Sequence, residues 1–363
     1  MPRTRDKKNR ASTDVEVRRV YDGSVYARVN SIGVGDIRPF VLIPGIGVSS
    51  TYFERLAPIL NEFGPVYALD LPGFGGVPHP GRALTIAEYA DLVGRVVDEL
   101  GLVDPVVVGH SMGSQIAVDL AARRPGLSTV VLIGPVVNPA ERRVVVQARR
   151  FLQAAWHEPA KVKVLAVSAY LFCGFKWFSR ILPEMMTYRI EDRLPRVRAR
   201  TLVIRGEHDS VAPREWVERV GDLLPASRLW EIPGAAHSVM YAHAEEVARL
   251  CVAHARDTVS ADDDTLRVDG VAGAAADPPP LSPARAARAV AGRLVETVGV
   301  MRDDDELIER GKTTHAEAVQ GADSERPDEH ERPDEHERPD EHERPDEHER
   351  PENPGPDDTG ERR

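Results

Sequence analysis

The distribution of apolar and polar positions changes character near residue 40. Before it, residues 15–20 and 24–30 read as strands, and Asp22-Gly23 between them suits the positive backbone angles of a tight hairpin. From Phe40 onward, short and wholly apolar runs alternate with longer stretches of helical composition. A parallel sheet covered on both faces is written this way, because each of its strands gives both faces to the core. Strands are expected at 40–43, 66–69, 106–108, 129–133, 201–204 and 228–232. Thr51, with Glu54 three residues on, has the spacing of a capping box that would open the first covering helix. A second helix is expected through Gln115–Ala122, stopped by Pro125-Gly126.

The alternation breaks at about residues 138–190, where helical composition continues with no strand between. This segment is an insertion in the domain spanning 15–256. It carries Phe151, Trp156, Tyr170, Phe172, Phe175, Trp177, Phe178 and Tyr188, eight of the twenty aromatic residues of the chain. Such residues would hold a small helical subdomain together, and some of them would line an apolar substrate pocket. Beyond 256 the character shifts again. Residues 257–324 read as a linker, with an amphipathic helix expected over 283–301: Ser282 caps it, and Ala287, Val290, Leu294, Val298 and Met301 form its apolar stripe.

From Glu325 the hexapeptide Glu-Arg-Pro-Asp-Glu-His runs four times to His348. Each copy holds three acids and one arginine, so the four account for -8 of the formal charge of -11. With almost nothing to bury, residues 325–363 are expected to be disordered, as is the basic start at 1–14. The repeated His330, His336, His342 and His348 do not read as a metal site, since proline in each unit prevents the helical spacing that would gather the rings.

Charge and cysteine content exclude several classes. A chain of 363 residues at -11 lacks the basic face that a general nucleic-acid binder needs. Two cysteines, Cys173 and Cys251, suggest neither a metal site nor a disulfide framework, and a cytoplasmic setting fits. No apolar run reaches eighteen residues, so no transmembrane segment is expected. No cofactor is implied, and the partner of the acidic tail is not legible.

The candidate chemistry starts at Gly109-His110-Ser111-Met112-Gly113. A strand precedes this pentapeptide and a helix follows it. A strand that reverses at once into a helix strains its apex residue and leaves no room for side chains two positions either side. That makes Ser111 a candidate nucleophile. Serine at its free pKa attacks poorly and needs a base within hydrogen-bond reach, itself oriented by an acid. Asp209 in Gly206-Glu207-His208-Asp209 and His237 in Gly234-Ala235-Ala236-His237 each follow a predicted strand, where open α/β sheets assemble their sites. Competing residues read as structural: Asp70 as a turn residue, Glu207 and His208 as support for their loop, His243 as a surface residue, and His110 as a packing neighbour.

The order Ser, Asp, His, together with Pro44-Gly45-Ile46-Gly47, Asp70-Leu71-Pro72-Gly73-Phe74-Gly75 and the pentapeptide, resembles the α/β-hydrolase fold superfamily in its cap-bearing esterase and lipase-like branch. The resemblance implies an α/β fold with a mostly parallel eight-stranded sheet, helices on both faces, and the insertion as a helical cap. It implies an oxyanion hole from the backbone N–H groups of Met112, directly after the nucleophile, and of Ile46. Here Pro44-Gly45 stands where relatives often carry His-Gly. The expected activity is hydrolysis of a small carboxylic ester with an apolar acyl or alkyl part, through an acyl-enzyme on Ser111. Carbon-carbon bond hydrolysis and peracid formation use similar machinery. A reading of another class is a non-catalytic binding protein on the same scaffold.

Overall fold

A computed structural model describes residues 15–33 and 38–256, with scattered positions between 288 and 317. The expected helix at 283–301 falls almost wholly outside the described residues, and both chain ends, 1–14 and 325–363, fall outside them entirely. The strands are β1 (Glu16–Asp22), β2 (Val25–Ile32), β3 (Phe40–Ile43), β4 (Val66–Asp70), β5 (Val106–His110), β6 (Thr129–Ile133), β7 (Arg200–Gly206) and β8 (Ser227–Ile232). They form one eight-stranded sheet in the order β1-β2-β4-β3-β5-β6-β7-β8. β1 and β2 pair antiparallel through the hairpin at Gly23, β2 runs antiparallel to β4, and every later pairing is parallel.

Alternation along these strands builds two cores. Val41, Ile43, Val107, Val130, Leu132 and Val203 point to one face, where they meet α2 (Ile86–Glu99), α3 (Met112–Arg123) and α7 (Arg214–Leu223). Their neighbours Phe40, Leu42, Val106, Val108, Val131 and Ile204 point to the other. There they meet α1 (Leu56–Asn61), α8 (Val239–Ala242) and α9 (Ala244–Ala255). The stretch between β6 and β7 forms α4 (Val144–His157), α5 (Ala160–Cys173) and α6 (Phe175–Thr187). Val162 and Leu165 of α5 join the second core, while Trp177 and Ile181 of α6 join the first. The insertion therefore touches both layers of the domain.

The strand order sets the place of the site. From β3 the chain moves to one side to make β4, then returns to the other side of β3 to make β5. The loops leaving β3 and β5 thus diverge at a topological switch point, and a crevice opens there at the carboxyl ends of the strands.

Two local expectations are corrected. No capping box forms at Thr51: residues Ser50–Phe53 make a 3-10 turn before α1, and Glu54 accepts instead from the Tyr241 hydroxyl at 3.0 Å. The Glu54 amide donates to the Thr51 carbonyl at 3.2 Å and the Thr51 hydroxyl pairs with that of Ser49 at 2.7 Å, so other partners take the groups a cap would use, while the Ser50 amide donates to Asp70 Oδ1 at 2.6 Å. The reciprocal capping box occurs at Thr85 and Glu88, opening α2. Asp70 does more than fix its own turn. It is fully buried and accepts from Arg28 Nε at 2.8 Å and Asn30 Nδ2 at 2.8 Å, tying β4 to β2 and to the 3-10 turn.

Candidate active site

Ser111 lies between the last residue of β5 and the first of α3, with φ 55° and ψ -119°. A left-handed backbone is costly for a residue with a Cβ and persists only where the surroundings impose it. Here the Ser111 amide donates to the Ile133 carbonyl at 2.9 Å, continuing the β5–β6 ladder, while Ser114 Oγ donates to Gly109 O at 2.9 Å. The two flanking glycines are required by close approach. A Cβ on Gly109 would stand 2.3 Å from the Gly113 carbonyl oxygen, and one on Gly113 would stand 2.2 Å from that of Ile43. The second clash is with β3 and not within the pentapeptide, a tertiary constraint the motif alone does not reveal.

Asp209 and His237 come together at the ends of β7 and β8. His237 Nδ1 donates to Asp209 Oδ2 at 2.8 Å, and Asp209 Oδ1 accepts the amides of Val211 and Ala212 at 3.0 Å each. Both groups are buried. Burial opposes charge on Asp209, but the facing imidazole and these hydrogen bonds outweigh it and hold the carboxyl below its ordinary range. Burial likewise opposes charge on His237, yet the Asp209 carboxylate, with a smaller contribution from Glu158, holds the imidazole above the ordinary value of 6.5.

The two loops are hydrogen-bonded to each other. His208 N donates to Ala235 O at 2.8 Å, Glu207 N to Ile232 O at 3.0 Å, and Gly234 N to Glu207 Oε2 at 2.9 Å. Buried Arg205 shapes the acid loop from within, donating to the carbonyls of Ala212 at 3.0 Å and of Glu207 and Asp209 at 3.2 Å. It also pairs with Glu231.

His110 connects the nucleophile turn to this pair. Its Nε2 donates to the His237 carbonyl at 3.2 Å, and the two rings lie 4.8 Å apart. Complete burial pushes its pKa down to about 3, so it stays neutral and the contact fixes its tautomer. Its Nδ1 has no hydrogen-bond partner among the described residues. The loop after β3 approaches from the other side: a Cβ on Gly45 would lie 3.1 Å from Ser111 Cβ and 3.5 Å from its Oγ. This brings Ile46 beside the nucleophile turn. Met112 stands at the first position of α3, where the N–H has no acceptor within the helix.

Three residues were not legible in advance. Gly134, just past β6 with φ +52°, underlies the acid-base pair: a Cβ there would stand 2.9 Å from Asp209 Oδ2 and from His237 Nδ1. Its only signal was a glycine at the carboxyl end of a strand. Arg205 could have been suspected as a cation in an otherwise apolar strand. Glu158, between α4 and α5, is 9 % exposed and accepts the Ser238 amide through Oε1 at 2.7 Å, while Oε2 is buried with no partner among the described residues. Burial raises its pKa, against the pull of the Ser238 amide and of His237.

The aromatic residues of the insertion divide. Tyr170 and Phe178 meet edge to face at 5.3 Å over the loop after β3, so close that a Cβ on Gly47 would stand 2.7 Å from the Tyr170 ring. Trp177 is buried over Gly73 and stacks on His79 at 4.8 Å. The Tyr188 hydroxyl donates to Asp119 at 2.9 Å. Phe151 meets the edge of Tyr170, whereas Trp156 and Phe175 are 83 % and 85 % exposed. The Phe172 side chain lies outside the described residues.

No described group of three or more His, Cys, Asp or Glu side chains could hold a metal ion, and no described helix is long and apolar enough to cross a membrane.

Comparison with known proteins agrees with the architecture. A pimeloyl-[acyl-carrier protein] methyl ester esterase of Neisseria meningitidis serogroup B is 27% identical over 244 residues, covering 59% of this chain and 91% of that protein. A dihydrolipoyllysine-residue acetyltransferase component of the acetoin cleaving system of Cupriavidus necator is 36% identical over 104 residues, which is 28% of each chain. The crystal structure of a membrane phospholipase A superposes with a TM-score of 0.58 at 22% identity, covering 67% of this chain and 86% of that one. The sequence profile of the alpha/beta hydrolase family matches residues 40–250, and the chain belongs to that family.

Proposed function

We propose that this hydrolase cleaves a carboxylic ester with an apolar acyl or alkyl part, with Ser111 as nucleophile, His237 as base and Asp209 as the acid that orients it. The observation that carries the reading is the His237–Asp209 hydrogen bond of 2.8 Å, seated over Gly134, with the His237 ring 4.8 Å from that of His110, the residue before the left-handed Ser111. The similarity to an esterase over 59% of the chain supports an ester as substrate.

In this mechanism His237 Nε2 takes the Ser111 hydroxyl proton as Oγ attacks the ester carbonyl carbon, and Nδ1–H remains on Asp209. The carbonyl oxygen becomes an oxyanion, which the N–H groups of Met112 and Ile46 stabilise; one such donor is worth about 3–4 kcal/mol. His237 returns its proton to the departing alkoxide, leaving an ester on Ser111. Water, deprotonated by the same imidazole, then attacks that ester and frees the acid. Tyr170 and Phe178, above the Gly45–Gly47 turn, offer an apolar wall for the acyl or alkyl part.

A fluorophosphonate probe tests the nucleophile. Wild-type protein is expected to label and Ser111→Ala not to, with hydrolysis of an aryl ester falling by on the order of 10⁶-fold when the nucleophile is removed. Equal labelling of both proteins would falsify the assignment.

A further inference from the structure

Helix α4 has its polarity reversed. A surface helix ordinarily turns its apolar stripe to the core and its polar side to water. In α4 the buried positions include Gln147, whose Nε2 donates to the Glu141 carbonyl at 3.1 Å, and the small Ala154. The outward stripe carries Val145, Leu152 and Trp156 at 77 %, 69 % and 83 % exposure, with Val144 beside it at 52 %. These residues recur at one helical face, and Arg149 completes the row between Val145 and Leu152. Large apolar side chains gathered this way mark an interaction surface.

Exposed cations flank this face, in a chain whose net charge is -11. Arg149 stands in the row itself, whereas the next residue, Arg150, is paired with Glu141. Exposed Lys163 sits at the end of the stripe, its ammonium donating to the Trp156 carbonyl at 3.3 Å. Beside the stripe a groove of about 650 Å³ opens between α4 and the loop after β7. Arg149, Trp156 and His157 line one wall and Glu207, His208 and Arg214 the other, with Asp209 at its inner end, so the groove is mixed in charge; the two imidazoles stack at 4.6 Å.

We infer that the outward face of α4 docks onto an anionic lipid surface, with Val145, Leu152 and Trp156 entering the headgroup boundary and Arg149 and Lys163 meeting lipid phosphates. Apolar side chains flanked by cations are what such a surface selects: buried apolar area supplies binding, anionic headgroups add to it, and Trp and Arg place an apolar body in lipid and a polar end in water. A second copy of this chain fits less well, because a two-fold contact through the face would set Arg149 and Lys163 against their own counterparts. An acidic protein would answer the cations, but three of the four residues in the row are apolar. The stripe itself holds no residue of the Ser111, His237 and Asp209 set, while the groove beside it borders the Asp209 loop.

The test is co-sedimentation of the full chain with vesicles of phosphatidylcholine alone and of phosphatidylcholine mixed with phosphatidylglycerol. Wild-type protein is expected to sediment with the mixed vesicles and little with the neutral ones. Leu152→Ser with Trp156→Ser should weaken partitioning about ten-fold or more, and Arg149→Glu should remove most of the anionic preference. All variants should hydrolyse a soluble short-chain aryl ester and melt as wild type does, which separates lost docking from lost folding. Absence of wild-type sedimentation with anionic vesicles overturns the inference, as does undiminished sedimentation of the double variant. A wild-type dimer that the double variant converts to monomer would overturn it in favour of a second copy. Capture on polyglutamate beads without vesicle binding would overturn it in favour of an acidic protein.

Discussion

The carboxyl edge of the sheet and the helical insertion above it are built to different tolerances. At the edge, backbone touches backbone: Cβ atoms on Gly109, Gly113 or Gly206 would fall 2.2–2.3 Å from carbonyl oxygens. Nothing there can shift without moving a neighbouring strand end. In the insertion, contact with the domain runs through side chains such as Tyr170, Trp177 and Tyr188, while Leu152, Trp156 and Phe175 reach outward. The contrast assigns tasks. Positions that must hold to a fraction of an ångström rest on strand ends and glycines, and the surfaces that choose what enters or docks rest on side chains that can be exchanged.

Substitutions can break that contrast in order of expected effect. Asp209→Asn should cost about 10⁴-fold in turnover, as loss of the orienting acid does in triads of this kind. It should also move the acidic limb of the kcat/KM profile. His237 must be neutral to act as base, so activity rises with pH through its pKa, which the Asp209 carboxylate holds above 6.5. Without that charge, burial opposes the imidazolium with less compensation, and the inflection is expected at lower pH. An unmoved inflection would mean that the limb reports another group.

Gly134→Ala probes the edge itself. Its methyl would press on Asp209 and His237, and a misplacement near 1 Å costs on the order of 10²-fold. The left-handed backbone adds about 1–2 kcal/mol of strain, to be read as a lowered melting temperature. If turnover stays at the wild-type level, the edge has more slack than the geometry allows.

Glu158→Gln probes the joint between the two regions and should have the smallest effect. The amide still accepts from Ser238 N–H, so turnover should stay within about ten-fold, the scale of one ordinary hydrogen bond. Because Glu158 helps raise the His237 pKa, the inflection should fall, by less than in Asp209→Asn. A larger fall than in Asp209→Asn would reverse the ranking of the two carboxyls.

Most of the sheet was legible because its strands are short and wholly apolar, a pattern that burial on both faces dictates locally. The sites of Ser111, Asp209 and His237 were legible for a related reason: each follows a strand, and the strand ends share an edge. Gly134 and Glu158 were hidden because each acts through partners far along the chain, Asp209 and His237 for one and Ser238 for the other. A glycine after a strand and a glutamate between two helices have many ordinary uses. Thr51 and Glu54 failed in the opposite direction, since in a local match the Thr51 hydroxyl went to Ser49 and the Glu54 carboxylate to Tyr241, far along the chain. The outward face of α4 was concealed by its own composition. Val145, Leu152 and Trp156 on a helix ask to be buried, and periodicity alone does not report which way the stripe turns.

The bonds that join the loops after β7 and β8 tie the candidate acid and base into one part. His208 to Ala235, Glu207 to Ile232, Gly234 to Glu207 and Asp209 to His237 close on themselves, while contacts that reach into residues 138–190 include the Ser238 amide to Glu158, the Ser210 hydroxyl to the Arg150 carbonyl and the stacked rings of His208 and His157. A chimera that exchanges the insertion between Pro135 and Val197 would carry the paired loops over whole, needing from the new segment an acceptor for that amide, another for that hydroxyl and a ring against His208. Retargeting such an enzyme by recombination then turns on matching a few polar and ring contacts at one seam.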